Sequence, residues 1–123
     1  MYLPRLELLA NAEVRVIGDV EIHPSAVIAK GAILEAAPNS QIVIGADVCI
    51  GIGAVIVADR GSIQIESGAI IGAEVLIIGN CQIGRNVCIG SSTTIFNASL
   101  EAMTVISSGS LIGDLSRSVP LDN

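Results

Sequence analysis

The chain has 123 residues, of which 51% are hydrophobic, but Tyr2 and Phe96 are its only aromatic residues. A chain of this length forms one domain, and its core must be built from thin layers of Ile, Val and Leu because large rings are lacking. The formal net charge of −6, with six scattered basic residues, argues against a nucleic-acid partner, since phosphate binding needs clustered Lys and Arg.

The chain begins with "MYLPRLELLANAE", residues 1–13, which contains acidic residues and lacks the apolar core of a signal peptide. No apolar run in the sequence approaches the length needed to cross a bilayer. We therefore expect a cytoplasmic protein with no membrane partner, and we assign residues 1–13 to an N-terminal cap region that precedes the first repeat.

From Val16 onward, an aliphatic residue recurs every six positions and a small or β-branched residue follows it four positions later. Nine such pairs are present: Val16/Val20, Ile22/Ala26, Ile28/Ala32, Ile50/Ala54, Ile65/Ala69, Ile71/Val75, Ile77/Cys81, Ile83/Val87 and Ile89/Thr93. Hexapeptide repeats are typical of β-helices, in which each hexad is a short strand and a turn. An ordinary sheet sandwich would instead show alternation with period two. The pattern predicts an all-β parallel β-helix.

The inward-facing aliphatic residues, called anchors below, group into five triangular coils of three hexads. They are Val16, Ile22, Ile28; Leu34, Ile44, Ile50; Ile56, Ile65, Ile71; Ile77, Ile83, Ile89; and Ile95, Ile106, Ile112. Three steps exceed six residues, and all three fall between the first and second hexad of a coil. The loops within residues 35–43, 57–64 and 96–105 are therefore predicted to stack as insertions on one edge.

Side chains next to each anchor point outward because strand side chains alternate. Wall one, outside the first hexads, is predicted to be an apolar interface of Ile17, Ile33, Val55, Val57, Leu76, Ile78 and Phe96. Wall three, outside the third hexads, is predicted to be a second apolar interface of Val27, Cys49, Ile70, Cys88 and Leu111, beside a column of Ala29, Gly51, Gly72, Gly90 and Gly113. Wall two is largely polar. Two apolar walls predict association with two neighbours, and self-association is possible.

Neither a catalytic, a cofactor-binding nor a metal site is predicted. His23 is the sole histidine, whereas a catalytic zinc usually takes three protein ligands. Cys49 and Cys88 share a wall but lie two coils apart, roughly 9.6 Å at strand spacing. Glu21 is close enough in sequence to orient His23, but we interpret His23 as a solvated turn residue.

The hexads "IHPSAVIAKGAI", "IGADVCIGIGAVI" and "IGNCQIGRNVCIGSSTTI" resemble the left-handed parallel β-helix superfamily. The left-handed winding comes from this resemblance alone, since the general crossover rule favours the right-handed sense. More narrowly, "MYLPRLE", "VCIGIGAVIVADRGSIQIESGAIIGAEVLIIG" and "GSSTTIFNASLEA" resemble the CcmN family of carboxysome assembly proteins, over roughly residues 1–113.

The resemblance implies a non-enzymatic adaptor of the β-carboxysome, located inside that compartment and needing no cofactor. Its hexapeptide-repeat domain, residues 1–113, would dock on the carbonic-anhydrase-like domain of the scaffold protein CcmM and link the Rubisco core to the shell. Residues 114–123 would begin a flexible linker, and the shell-binding C-terminal peptide of the family is not in this chain. The alternative is a hexapeptide-repeat acyltransferase that uses acetyl-coenzyme A, with His23 facing a neighbouring subunit.

Overall fold

The computed structural model describes residues 14–113, which form strands and turns without any helix. The predicted cap region, 1–13, and the predicted linker, 114–123, lie outside the described residues. The chain winds through five triangular coils and begins a sixth, and every strand pair is parallel. The predicted all-β hexapeptide-repeat β-helix is confirmed. Its left-handed sense stays a prediction that the family resemblance carries.

Fourteen strands build the three walls. Wall one contains β1 (Arg15–Ile17), β4 (Ile33–Ala36), the start of β7 (Val55–Ile65), the start of β9 (Leu76–Ile83), β11 (Thr94–Phe96) and β14 (Leu111–Gly113). Wall two contains β2 (Val20–Ile22), β5 (Gln41–Ile44), the ends of β7 and β9, and β12 (Ser99–Leu100). Wall three contains β3 (Val27–Ile28), β6 (Cys49–Ile50), β8 (Ile70–Ile71), β10 (Cys88–Ile89) and β13 (Val105–Ile106). Walls one and two share a bent nine-stranded sheet, and wall three is a separate five-stranded sheet.

The anchors stack directly on one another from coil to coil. On wall one, for example, Leu34 pairs with Ile56 and Ile56 pairs with Ile77. The anchors of the middle coils are at most 2% exposed, and each buried aliphatic side chain of this size contributes about 1.5–3 kcal/mol. The small residues at the fourth position after the anchor pack inside the corners, as Ala54 and Ala69 do at 0% exposure. A narrow core of Ile, Val, Leu and Ala therefore replaces the missing aromatic rings.

The last coil departs from the predicted grouping of anchors. Leu100, and not Ile106, pairs with Ile83 on wall two. Ile106 pairs with Ile89 on wall three, and Ile112 pairs with Ile95 on wall one, where it begins the sixth coil. The predicted third insertion, 96–105, was therefore wrong. The chain turns that corner in five residues, from Ile95 to Leu100, and Asn97 has a left-handed backbone conformation there, with φ of 49°.

The other two insertions lie on one edge, as predicted. The steps from Leu34 to Ile44 and from Ile56 to Ile65 span ten and nine residues, so the edge between walls one and two protrudes at the second and third coils. In the fourth and fifth coils the same edge is short, and amide side chains support it. The backbone N–H of Ser62 donates to Asn80 Oδ1 (3.2 Å), and that of Asn80 donates to Asn97 Oδ1 (2.9 Å).

Candidate interaction surface

Wall three presents an uncharged surface with a protruding apolar column. Val27, Ile70 and Val105 are 61%, 50% and 74% exposed, and Cys49 is exposed while Cys88 is half-buried. The neighbouring residues of these strands, such as Ile50 and Ile71, are buried anchors, so the pleat of each strand forces the apolar column outward.

A shallow strip of small residues runs beside that column. It consists of Ala29, Gly51, Gly72, Gly90 and Ser107. A Cβ added to Gly51 would lie 2.7 Å from the backbone of Gly72 and Ala73, one coil further along. The close approach of successive coils therefore explains glycine at that position, and it leaves the apolar side chains standing above the strip.

Wall one is apolar but flatter. Ile33, Val55, Val57, Leu76, Ile78 and Phe96 are half-buried. Exposure is greater toward the ends of the wall, where Ile17 is 43% and Leu111 is 62% exposed. Two charged side chains, Arg15 and Glu35, also lie on this wall and are exposed. The residues predicted for wall one are thus brought together on one face.

One residue predicted for wall three lies elsewhere. Leu111 pairs with Thr94 and belongs to wall one, and Gly113 pairs with Phe96 on the same wall. Val105 takes the predicted place of Leu111, because it pairs with Cys88. The prediction was wrong here because it counted the span from Ile95 to Ile106 as a loop. Leu100 and Thr104 carry the same spacing of an aliphatic and a β-branched residue as the other hexads, and this signal, together with a five-residue step, would have located Val105.

The edge that joins walls one and three has no insertion. Ile52 lies on this edge between β6 and β7 and is 53% exposed. It carries the apolar surface from Cys49 on wall three around to Val55 on wall one. Ile52 is not among the predicted interface residues, because a single aliphatic residue in the turn "IGIGA" gives no periodic signal.

Wall two is largely polar, with Val43 as the apolar residue among its outward side chains. Its outward residues include Glu21, His23, Gln64, Glu66, Gln82, Ser99 and Glu101. Ser99 and Glu101 are outward residues of this wall in the last coil, because Leu100 and not Ile106 pairs with Ile83 there. Walls one and three are therefore apolar on the outside and wall two is largely polar, although all three belong to the same β-helix.

His23 on wall two is an exposed turn residue whose ring stabilises the turn. Its Nδ1 accepts a hydrogen bond from the backbone N–H of Ser25 (3.0 Å) and lies 2.9 Å from Ser25 Oγ. Ser25 Oγ in turn accepts from the backbone N–H of Asp47 in the next coil (2.9 Å). These hydrogen bonds explain the orientation of the His23 ring without a bound substrate.

The cysteines do not gather into a site. Cys49 and Cys88 both pair with Ile70, on its two opposite sides, and so lie two coils apart. Cys81 is buried inside the prism, where its Sγ lies 3.5 Å from the carbonyl oxygen of Ile78. Burial raises the pKa of the Cys81 thiol, although backbone hydrogen bonds oppose the shift in part.

Within residues 14–113, no three His, Cys, Asp or Glu side chains are grouped closely enough to hold a metal ion. That part of the chain also contains no helix that is long and apolar enough to cross a membrane.

Comparison with known proteins places these features in a family. Residues 62–97 match the family described as bacterial transferase hexapeptide (six repeats). The carboxysome assembly protein CcmN of Synechocystis sp. (strain ATCC 27184 / PCC 6803 / Kazusa) is 45% identical over 91% of this chain and 46% of its own length. CcmN of Synechococcus elongatus (strain ATCC 33912 / PCC 7942 / FACHB-805) is also 45% identical, over 91% of this chain and 70% of its own length.

A solved structure shows the same architecture. A chain in the crystal structure of the CcmM N-terminal domain in complex with CcmN is 44% identical, with a TM-score of 0.81, over 82% of this chain and 97% of that chain. The present chain spans less than half the length of the Synechocystis relative.

Proposed function

This chain belongs to the CcmN family of carboxysome assembly proteins, and we propose that it is a non-catalytic adaptor that docks on the carbonic-anhydrase-like N-terminal domain of CcmM. The observation that carries the proposal is the apolar outer surface of walls one and three, which Ile52 connects at their shared edge. Contiguous exposed apolar surface marks association sites in soluble proteins. The solved complex of the CcmM N-terminal domain with CcmN supports the choice of partner.

The interface consists of the apolar residues of both walls. On wall one these are Ile17, Ile33, Val55, Val57, Leu76, Ile78, Phe96 and Leu111, and on wall three they are Val27, Cys49, Ile70, Cys88 and Val105. Two walls that meet at an edge without loops allow a neighbour on each side. The polar wall two and the protruding loops face away from both neighbours.

The wider role in this proposal is to connect the Rubisco core with the shell inside the carboxysome. The hexapeptide-repeat domain is the docking domain in this proposal. Contact with shell proteins is assigned to the C-terminal peptide that the family resemblance implies.

Titration calorimetry of this chain with the CcmM N-terminal domain tests the docking directly. We expect saturable binding by the unmodified chain and at least a hundredfold loss for Ile70→Asp, because an unpaired carboxylate in an apolar contact is costly. Gln64→Asp on wall two is the matched control and should bind within about twofold of the unmodified chain, since its new charge stays in solvent. Absence of binding by the unmodified chain would contradict the proposal.

The acyltransferase alternative depends on His23 and a groove for acetyl-coenzyme A. His23 lies on the polar wall, with its Nδ1 engaged by Ser25, so no described feature favours this chemistry. We expect no heat of binding when acetyl-coenzyme A is titrated into the chain, alone or with the CcmM domain. Saturable binding that His23→Ala abolishes would revive the alternative.

A further inference from the structure

The first strand of wall three, β3, is the terminal strand of its sheet. Among residues 14–113 it has a strand neighbour on one side, β6. On that side the backbone N–H of Val27 donates to the carbonyl oxygen of Val48 (2.9 Å), and the N–H of Ala29 donates in the same way to Ile50 (2.9 Å). Because successive residues of a strand direct their backbone groups to opposite sides, those of Ile28 point toward the start of the prism. Proteins normally cover an edge strand of this kind.

The inward side chains beside this edge are incompletely covered as well. Ile28 is half-buried, whereas Ile50, which pairs with it one coil further along, is 2% exposed. Ala26 is also half-buried, but Val48, its counterpart in the next coil, is 0% exposed. One more layer of chain before the first coil would complete this side of the core.

The described chain enters the first coil in the middle of a hexad. Arg15 pairs with Ile33 on wall one, and its backbone N–H donates to the carbonyl oxygen of Ala32 (3.0 Å). Val14 therefore lies opposite Ala32, which is the small residue at the end of the third hexad of the first coil. Since a hexad has its anchor four residues before that position, the anchor of the preceding hexad is Ala10.

The sequence of residues 9–14 fits this hexad. It reads "LANAEV" and is in phase with "IIGAEV", residues 70–75, so that both segments end in Ala-Glu-Val. In the second of these segments Ile70 points outward and is 50% exposed, whereas Val75 points inward and is 1% exposed. The same phase directs Leu9 outward, into the apolar column of wall three.

We propose that residues 8–11 form a further strand of wall three, parallel to β3, in which Leu9 pairs with Val27 and extends the apolar column by one coil. The N–H of Ile28 then donates to the carbonyl oxygen of Leu9, and the carbonyl oxygen of Ile28 accepts from the N–H of Asn11. Leu9 thereby joins the surface that meets an apolar partner. This last step rests on the proposed docking function, whereas the strand itself does not.

Hydrogen exchange of the Ile28 backbone amide, resolved by NMR, tests the strand. In the unmodified chain we expect this amide to exchange at least about tenfold more slowly than in an unstructured chain. Asn11→Pro removes the N–H that donates to Ile28, so the amide should return to within about twofold of the unstructured rate.

Ala12→Pro is the matched control, because it lies in the turn that follows the strand and should leave the protection of Ile28 unchanged. Slow exchange of the Ile71 amide in the third coil shows that each variant is folded. An unprotected Ile28 amide in the unmodified chain, or equal protection of Ile28 in both proline variants, would overturn the strand.

Calorimetric titration with the CcmM N-terminal domain tests whether the strand extends the docking surface. Leu9→Asp should bind about tenfold more weakly, because its carboxylate would enter an apolar contact. Gln64→Asp on wall two is the control and should bind within about twofold of the unmodified chain. Equal affinities for the two variants would remove Leu9 from the interface. If the unmodified chain does not bind, the docking proposal fails, and exchange at Ile28 still decides whether the strand exists.

Discussion

Walls two and three share one backbone and one core but have opposite outer surfaces. Both are parallel ladders of short strands whose inward anchors are buried aliphatic residues. Outside, wall two carries Glu, Gln, His and Ser, whereas wall three carries Val, Ile, Cys and Gly. Because the buried anchors form the core of each coil, the chemistry of the outer residues can differ between walls, and these residues are available for contacts with other proteins. The comparison indicates that the repeating interior determines the fold, whereas the outer residues differ from wall to wall.

The largest expected effect comes from a substitution that disrupts the core that both walls share. Ile77→Asp places a carboxylate in the centre of the core, where Ile77 is 0% exposed. The loss of the aliphatic side chain and the burial of a charge together should cost at least about 5 kcal/mol, enough to unfold a domain of this size. Circular dichroism should show lost β-structure. Ile77→Val, the control, should unfold cooperatively with a loss of only about 1 kcal/mol.

The next largest effect distinguishes the apolar walls from the polar wall by substitutions that leave the core unchanged. Ile70→Asp on wall three and Ile78→Asp on wall one should retain the melting temperature within a few degrees and lose association with the CcmM domain. Val105→Asp should behave like Ile70→Asp, since Val105 lies on wall three. The wall-two variant Gln82→Asp should associate normally. If either apolar-wall variant associates like the unmodified chain, that wall is not an interface.

A smaller effect is the difference in thiol reactivity between a cysteine on the outside of wall three and one on the inside of wall two. Cys49 is exposed, whereas Cys81 stacks on Ile63 in the core. Alkylation of the folded chain should therefore modify Cys49 rapidly and spare Cys81, and binding of the CcmM domain should protect Cys49. Rapid alkylation of Cys49 in the saturated complex would remove wall three from the interface.

The same buried thiol gives the folded chain a pH dependence. Burial raises the pKa of Cys81 above its ordinary value of 9.0, so at high pH the unfolded chain releases a proton that the folded chain retains. Stability should be full below pH 9.0 and should fall as pH rises from there toward the folded-state pKa, by at most about 1.4 kcal/mol per pH unit. Urea unfolding at a series of pH values measures this fall in the free energy of unfolding. The fall should be smaller for the Cys81→Ala variant than for the unmodified chain. An equal slope in both chains would contradict it.

The smallest effect concerns the edges between walls. Glu74 has a φ of 57°, at a corner position where Gly31, Gly53 and Gly109 occur in other coils. Glycine adopts this conformation without strain, but it also loses more entropy on folding. Glu74→Gly should therefore stabilise the chain by less than about 1 kcal/mol. Thermal unfolding should show a slightly higher midpoint, and Ala73→Gly, beside it, should show a lower one.

The interior could be predicted from the sequence because the core of a β-helix repeats with a fixed period. Each anchor must face inward once per hexad, so Ile56, Ile77 and Ile95 could be aligned by counting. Counting failed at the corner after Ile95, where the step to Leu100 is one residue shorter than a hexad. A single shortened step has no periodic signal, and the error moved Leu111 and Val105 to the wrong walls.

The outer surface was predictable only in its chemistry. Alternation along the strands identified the apolar columns of walls one and three, since inward and outward positions follow from the anchors. The exposure of Ile52 depends on how separate coils lie beside one another, and it could be found only from the structure.

Light scattering after gel filtration, on an equimolar mixture of this chain with the CcmM N-terminal domain, tests the central claim most directly. We expect one mixed peak whose molar mass gives the stoichiometry. The peak should be lost when Ile70→Asp replaces the unmodified chain and retained with Gln64→Asp. Two separate peaks of unchanged mass for the unmodified chain would contradict the claim that the apolar walls bind this partner.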